Sequence, residues 1–271
     1  SQITDEGIKN LCSQGLDHLT QLLNFGLNLS GCLKLTDEGM NTLWDKTLQN
    51  LKHLSLNFSE CQGITDKGVI NLGLKAFKGL IELESLDLSF SECRHVTDKG
   101  MHILFSESLS SLVKLQSLCL DFNWQSNMLN KEISFICSQW LMYLTELNIL
   151  NLNFSKCLQI SDEGISRLCL QGLSFLKQLV SLDISFSLCT QVTDKGLVTL
   201  CSEGLRHLKE LKSLKLNFCF CFAITDKGIG VLCSKGLKHL THLAFLDLDF
   251  SDCDKITEKG FGTLFSQGVS H

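Results

Sequence analysis

One fifteen-residue phrase recurs in register along this chain, and its spacing restricts the chain to a repeat architecture. In its regular form the phrase reads Leu-x-Leu-x-Phe-Ser-x-Cys-x-x-Ile-Thr-Asp-Lys-Gly. Its acidic residue marks the units at Asp5, Asp37, Asp66, Asp98, Asp162, Asp194, Asp226 and Glu258, with Asn130 in the remaining slot. Successive markers lie 32 residues apart, except for one step of 29. A fixed period of this length predicts a solenoid, in which each unit buries its apolar side against its neighbours.

Each unit is predicted to contain a short strand followed by a helix. Apolar residues alternate at every second position in Leu54–Phe58, which indicates a strand with one buried face. Equivalent segments predict eight parallel strands at Phe25–Leu29, Leu54–Phe58, Leu86–Phe90, Leu118–Phe122, Leu150–Phe154, Leu182–Phe186, Leu214–Phe218 and Leu246–Phe250. The side-chain oxygens of the following Thr-Asp pair suit the free N–H groups at a helix start. The shorter step is predicted to shorten only the connection from helix to strand.

The helix is predicted to cover the strand layer with one apolar face. After Asp194 the apolar residues are spaced three and four apart, as one face of a helix requires, at Leu197, Leu200, Cys201, Leu205 and Leu208. The last residues, Phe265–Val269, match the helical part of earlier units, and no strand follows them. We therefore expect a single domain over residues 1–271, of about eight repeats, that is a fragment of a longer chain or has its ends covered by a partner.

Twelve of the fourteen cysteines follow the same register, and this regularity favours buried thiols over disulfides or metal ligands. One series lies five residues before the marker, at Cys32, Cys61, Cys93, Cys157, Cys189, Cys221 and Cys253. A second lies seven residues after it, at Cys12, Cys137, Cys169, Cys201 and Cys233, where other units carry Trp44, Gly73, Phe105 and Phe265. A position that accepts Cys, Trp and Phe indicates an apolar pocket. We expect a reducing compartment, the cytosol or the nucleus.

Composition and spacing disfavour several functional classes. The net charge of −5 and the lack of a basic cluster disfavour nucleic acid, and no apolar run approaches the roughly 20 residues that span a bilayer. The many Asp and Ser residues recur at equivalent unit positions, whereas catalysis needs a unique cluster of different groups. His207, His239 and His242 lack a converging third ligand of the right type, and Cys219 and Cys221 alternate along an extended segment. We expect no enzyme, no metal and no cofactor.

The phrase resembles the leucine-rich repeat in its cysteine-containing and ribonuclease-inhibitor-like forms. The resemblance is carried by Leu86–Gly100 and by seven further copies. It differs in having two extra residues before the Cys, a Ser where many such repeats carry Asn, and a longer helix. The resemblance implies an α/β solenoid shaped as a horseshoe, with parallel strands on the concave face and helices on the convex face. It also implies protein recognition as the function.

Strand residues between the buried ones are predicted to form the concave face. Small polar residues predominate there, and five carboxylates oppose the single ammonium of Lys215: Asp87, Asp121, Asp183, Asp247 and Asp249. A basic loop or helix of a partner complements such a surface, most strongly at the end that holds Phe245, Asp247 and Asp249. The alternative is that these are simply solvated strand positions, because the face lacks the Trp, Tyr and Arg typical of binding hot spots.

The unit between Asp98 and Asp162 departs from the phrase. It carries Asn123-Trp124-Gln125 in place of Ser-x-Cys, and Leu129-Asn130-Lys131-Glu132 in place of Thr-Asp-Lys-Gly. Trp140 stands where several units carry Gly, and Tyr143 is the only tyrosine of the chain. Either this unit has decayed and Trp fills lost volume, or Trp124, Trp140 and Tyr143 form a docking patch for a partner. Exposure of the two indoles distinguishes these alternatives.

These features favour a non-catalytic scaffold for protein–protein interaction within a larger assembly. The resemblance leaves two alternatives: the substrate-recognition domain of an F-box type ubiquitin-ligase adaptor, or a protein inhibitor of an enzyme. Fold alone does not choose among them.

Overall fold

The repeats form one continuous parallel sheet, as the alternation of apolar residues predicts. The computed structural model describes residues 2–16, 18–44, 48–125 and 129–263, so the predicted helical segment 265–269 lies outside the described residues. Within them, eight strands pair in chain order, each parallel to the next. They are β1 (Asn24–Asn28), β2 (His53–Asn57), β3 (Ser85–Ser89), β4 (Ser117–Asp121), β5 (Ile149–Asn153), β6 (Ser181–Ser185), β7 (Ser213–Asn217) and β8 (Phe245–Asp249). Each begins one residue before the predicted segment.

The unit with the short step keeps its place in the sheet. Leu54 of β2 pairs with Phe25 on one side and with Leu86 on the other, so the register is the same across the short and the regular unit. Thr36 and Thr65 still cap the helices on either side of β2. The missing residues therefore shorten the connection from helix to strand, and they leave the sheet unchanged.

Each strand leads through a turn into a helix that packs behind the sheet. The α-helices are α1 (Asp5–Asn10), α2 (Asp37–Thr42), α3 (Asp66–Lys75), α4 (Asp98–Ile103), α5 (Asn130–Gln139), α6 (Asp162–Gln171), α7 (Asp194–Thr199), α8 (Asp226–Val231) and α9 (Glu258–Thr263). The helix predicted after Asp194 is present, and α7 continues as a π-helical segment, Leu200–Gly204, and a 3₁₀ turn, Leu205–His207. The tighter 3₁₀ turn redirects the chain toward the next strand. The predicted apolar face is nevertheless buried.

The Thr-Asp pair lies at the start of each regular helix, but its two side chains bind different partners. Thr65 is the N-cap of α3, and its hydroxyl accepts a hydrogen bond from the N–H of Lys67, as predicted. Asp66 instead reaches into the next unit. Its Oδ1 accepts from the N–H of Thr97 and its Oδ2 accepts from the Thr97 hydroxyl, both at 2.6 Å. We call this pair of bonds the aspartate clamp.

The aspartate clamp joins neighbouring units along most of the described chain. It connects Asp5 with Thr36, Asp37 with Thr65, Asp66 with Thr97, Asp162 with Thr193, Asp194 with Thr225, and Asp226 with Thr257. At the terminal clamp, the hydrogen bond from the N–H of Thr257 lowers the pKa of Asp226. Bonds to an ionised acceptor are stronger than bonds between neutral groups. The marker residue of the phrase is therefore a joint between repeats.

The clamp also explains the glycine that lies two residues after most of the markers. A Cβ at Gly228 would lie 2.5 Å from Oδ1 of Asp194, and a Cβ at Gly68 would lie 2.3 Å from Oδ1 of Asp37. Contacts this short require the carboxylate to move away. The Asp of one unit and the Gly of the next are therefore a coupled pair.

Two stacks run through the core parallel to the sheet. The Phe that follows a strand stacks on that of a neighbouring unit from β2 to β8, and the ring of Phe218 lies 5.7 Å from that of Phe186 and 5.6 Å from that of Phe250. Beside it, the first cysteine series is buried, and the thiol of Cys93 donates to the carbonyl of Phe58 at 3.0 Å. Burial raises the pKa of Cys93 to about 12, so this thiol stays protonated at neutral pH. The second cysteine series is also buried, which confirms the predicted apolar pocket at that position, and the thiols of the first series add hydrogen bonds between units.

We expect Asp162→Ala to lower the free energy of unfolding by about 3 kcal/mol, because hydrogen bonds to charged groups are strong and their donors become buried without partners. Asp162 accepts from the N–H and hydroxyl of Thr193 and from the N–H of Gly196. Asp98 occupies the same repeat position but forms an exposed ion pair with Lys131, so Asp98→Ala is the matched control and should cost less than about 1 kcal/mol. Urea unfolding followed by circular dichroism measures both. Equal losses would contradict the clamp.

Candidate protein-interaction surface

One face of the sheet is turned away from the core and is exposed along the solenoid. In β2, Leu54 and Leu56 are buried, whereas His53, Ser55 and Asn57 are exposed or half-buried. We call the first, third and fifth residues of the eight strands the exposed sheet face. Neighbouring strands lie about 4.8 Å apart whereas packed helices need roughly 8–10 Å, so the strands line the inner side of the curve. The exposed sheet face is the concave face that the alternation predicts.

Two of the predicted aspartates hold the turn that follows their strand. Asp121 accepts from the N–H of Asn123 through Oδ1 and from the hydroxyl of Ser89 through Oδ2. Asp249 accepts from the N–H of Ser251 through Oδ1. Asparagines make the same bond at this position in other units, as at Asn57, Asn153 and Asn217. Asp121 and Asp249 therefore have a structural role that the sequence pattern alone does not reveal.

The remaining aspartates lie in the central row of the exposed sheet face. Asp183 pairs in register with Lys215, and Lys215 pairs with Asp247, so the ammonium lies between two carboxylates. Burial raises the pKa of Asp183, and the positive charge of Lys215 opposes this shift. Asp87 lies on β3, away from this group, and its Oδ2 accepts from the hydroxyl of Ser55 at 3.0 Å. The five predicted aspartates are therefore divided between two parts of the sheet.

The end of the sheet brings charge and an aromatic ring together. Phe245 is 49% exposed, and the ammonium of Lys215 lies 5.5 Å from its ring centroid. Asp247 and Asp249 follow on the same strand and the same face. We call Asp183, Lys215, Phe245, Asp247 and Asp249 the acidic patch. Three carboxylates against one ammonium give it a negative charge.

Trp140 is buried, so its assignment to a surface docking patch is wrong. Its side chain has 0% exposure, and its ring stacks on Phe105 with centroids 5.7 Å apart. The position holds Gly in several other units, and here the indole fills core volume against the neighbouring unit. For Trp140 the structure favours the first of the two alternatives, in which the unit has decayed in sequence and a large side chain fills the lost volume.

The irregular unit replaces the aspartate clamp with a local substitute. Glu132 occupies the glycine position and Leu129 the threonine position, so Asp98 turns outward to Lys131, whose ammonium lies 2.7 Å from Oδ2 and lowers the pKa of Asp98. The buried carboxylate of Glu132 accepts from the N–H of Leu129 at 2.9 Å, and burial raises the pKa of Glu132. A carboxylate still satisfies this N–H, but it comes from the same unit.

Trp124 and Tyr143 are exposed but lie at different ends of the strands. Trp124 is 48% exposed in the turn after β4, where Nζ of Lys156 lies 4.3 Å from its ring centroid. Tyr143 is 55% exposed in the 3₁₀ turn Leu141–Tyr143, which precedes β5. Because the strands are parallel, residues after one strand and before the next lie at opposite edges of the sheet. The structure does not bring Trp124, Trp140 and Tyr143 together into one patch.

No group of three His, Cys, Asp or Glu side chains among the described residues is placed to hold a metal ion. His242, half of the His pair noted in the sequence, instead has Nδ1 4.0 Å from Oε2 of Glu210. None of the helices described is both long and apolar enough to cross a bilayer.

Comparison with known proteins supports the repeat type. Residues 48–73, which contain β2 and the first residues of α3, match the family model for the leucine-rich repeat. The same strand, turn and helix recur in register along the described chain, so the described residues have the leucine-rich repeat fold, and their buried cysteines fit the cysteine-containing, ribonuclease-inhibitor-like type. A search of curated protein sequences finds no match.

Two solved structures match most of this chain at low sequence identity. One is a chain of the Rad7 and Elc1 complex from yeast, with 20% identity, a TM-score of 0.44, and coverage of 97% of this chain and 74% of that one. The other is a chain of the mouse RP105/MD-1 complex, with 17% identity and a TM-score of 0.48. The match covers 94% of this chain and 34% of that one, so this chain spans about a third of it.

We expect truncation of the buried Trp140 to destabilise the protein more than truncation of the exposed Trp124. Trp140→Ala should lower the free energy of unfolding by about 3–5 kcal/mol, because it leaves a cavity against Phe105. Trp124→Ala is the matched control and should cost less than about 1 kcal/mol, since it loses only a surface contact with Lys156. Thermal or urea unfolding of each variant measures the difference. Similar costs for both would contradict the burial described here.

Proposed function

We propose that this leucine-rich repeat protein is a non-catalytic interaction scaffold that holds a basic segment of another protein within a larger assembly. The acidic patch carries this proposal. It places Asp183, Asp247 and Asp249 around Lys215 on a surface whose backbone is fixed by the parallel sheet. Opposite charge steers association and fixes the register of a partner.

The acidic patch offers a cationic side chain two kinds of contact. The carboxylates of Asp183 and Asp247 flank Lys215 in the central row of the exposed sheet face, and the exposed ring of Phe245 already attracts the Lys215 ammonium. An Arg or Lys of a partner gains both a carboxylate and an aromatic face at such a site, and Arg is the better fit because its planar group stacks. A basic loop or helix is therefore the proposed ligand.

The proposed setting is a reducing compartment, the cytosol or the nucleus. Cys93, Cys157 and Cys189 of the first series are free thiols that donate hydrogen bonds to backbone carbonyls of other units. Their role in the core depends on the reduced form. Proteins of reducing compartments keep cysteines in this state.

We expect Asp183→Asn/Asp247→Asn to weaken partner capture by at least about tenfold, because it removes two negative charges and keeps the side-chain size. Glu146→Gln/Glu210→Gln removes the same charge from exposed positions outside the sheet face and is the matched control. Each purified chain is immobilised under reducing conditions, and captured proteins are quantified by mass spectrometry. The parent and control should capture the same salt-sensitive proteins.

Capture that is unchanged in the Asp183→Asn/Asp247→Asn variant would remove the acidic patch from the proposal. The identity of the proteins captured by the native full-length protein separates the finer alternatives. Recovery of a cullin-adaptor complex would favour the substrate receptor of a ubiquitin ligase, and recovery of an inactivated enzyme would favour an inhibitor.

Partner affinity should fall on acidification in a way that depends on Asp183. Burial raises the pKa of this carboxyl, so it gains its proton at a higher pH than an exposed Asp, and a basic partner binds the ionised form. Affinity is therefore complete above the raised pKa and is lost as the pH falls through it. Titration of captured partner from about pH 7 to about pH 4 should show a smaller pH effect for Asp183→Asn. An identical pH profile in this variant would contradict the assignment.

A further inference from the structure

A row of turn residues along one edge of the sheet has a left-handed backbone. These residues follow the strands, have φ between 56° and 68°, and are Gly31, Glu60, Glu92, Trp124, Lys156, Leu188, Phe220 and Asp252. Left-handed backbone suits Gly and Asn and costs other residues roughly 1–2 kcal/mol. Gly31 shows that Gly fits this turn. Three of the four consecutive units from β4 to β7 nevertheless carry a large apolar residue there, namely Trp124, Leu188 and Phe220. A strained backbone conformation at residues with large apolar side chains indicates that those side chains have a function.

The backbone fixes the spacing of this row. The N–H of Trp124 donates to the carbonyl of Ser155 at 2.8 Å, that of Leu188 to Cys219 at 2.8 Å, and that of Phe220 to Ser251 at 2.9 Å. These bonds continue the ladder of the parallel sheet beyond the strands. Neighbouring positions in the row are therefore about 4.8 Å apart, and Trp124 and Phe220 are separated by about 14 Å.

Further apolar side chains extend the row into a surface. Leu158 is 51% exposed and Phe222 is 40% exposed, and the ring of Phe222 lies 6.0 Å from that of Phe220. We call Trp124, Leu158, Leu188, Phe220 and Phe222 the apolar rim. Trp124, Leu158 and Phe222 are exposed, and Leu188 and Phe220 between them are half-buried, so apolar side chains reach the surface along this edge. An exposed apolar surface of this kind marks a site of interaction.

Charges divide the row into a middle and two ends. Lys156 lies inside the apolar rim and contacts the ring of Trp124. Glu92 precedes Trp124 in the row, and Asp252 follows Phe220. A complementary ligand therefore carries basic groups at both ends, and an apolar middle that includes one acidic group.

We propose that the apolar rim docks an amphipathic helix of a partner protein, with basic residues at both ends of its apolar stripe and an acidic residue facing Lys156. A helix that lies along the row presents one side chain per turn at a pitch of about 5.4 Å, close to the spacing of the row, and about ten residues cover its length. An extended strand presents side chains on one face about every 6.6–6.8 Å. This spacing does not match the spacing of about 4.8 Å between positions in the row. This surface is the turn edge of the sheet and is separate from the acidic patch.

The test is a selection from a displayed library of single helices of about sixteen residues. The stripe positions vary among Leu, Ile, Phe, Met and Ser, one middle position varies between Glu and Lys, and the end positions vary between Lys and Glu. Leu188→Asn/Phe220→Asn removes the apolar side chains and keeps a residue that tolerates the left-handed backbone, so the fold is retained. Ile81→Asn/Val113→Asn is the matched control, because both residues are exposed apolar side chains outside the apolar rim.

We expect the parent chain and the control to select apolar stripes with Lys ends and a middle Glu, and the best helix to lose at least about tenfold in affinity for Leu188→Asn/Phe220→Asn. The Asp183→Asn/Asp247→Asn variant should bind this helix as the parent does, which separates the result from the proposed function. The proposal is overturned if no helix is enriched, if Glu ends are preferred, or if the rim variant binds the selected helix unchanged.

Discussion

The aspartate clamp is the interaction on which the rest of this structure depends. One threonine caps its own helix through its hydroxyl, and the same hydroxyl and its N–H bind the carboxylate of the preceding unit, as at Thr97 with Lys99 and Asp66. Helix start and unit stacking are thus set at one point. A repeat unit cannot bury its apolar side alone, so a polar joint that fixes the offset between neighbours also aligns the strands and the stacked Phe rings.

The irregular unit shows that the parts of this joint change together. A side chain at the glycine position needs the space that the preceding carboxylate would take, and Glu132 at that position accompanies an Asp98 that has turned to Lys131. Leu129 lacks the hydroxyl that would have bound Asp98, and its N–H is satisfied by Glu132. The apparent decay of the phrase is therefore a different solution for the same buried N–H group.

The sequence predicts what is equivalent between units, and it predicts less about what each residue contacts. Alternation predicts the parallel strands, and the cysteine register predicts buried thiols, because burial depends on position within the unit. An Asp that caps its own helix and an Asp that binds the next unit recur in the sequence at the same spacing. The sequence therefore does not distinguish these two roles, and it does not reveal the bond from Thr97 to Asp66. The same holds for Asp121 in its turn, while the burial of Trp140 depends on a stacking partner, Phe105, that lies 35 residues earlier.

Functional information in such a chain lies where the backbone is fixed and the side chain is free to vary. The third strand position is such a place: its backbone is held by the sheet, and it holds Asp183, Lys215 and Asp247 in consecutive units. The left-handed turn position is a stronger case, because its backbone favours glycine and each larger residue there has an energetic cost. Solvation alone explains a charged side chain at that position, such as Glu60. It does not explain Leu188 or Phe220, and an apolar partner surface does.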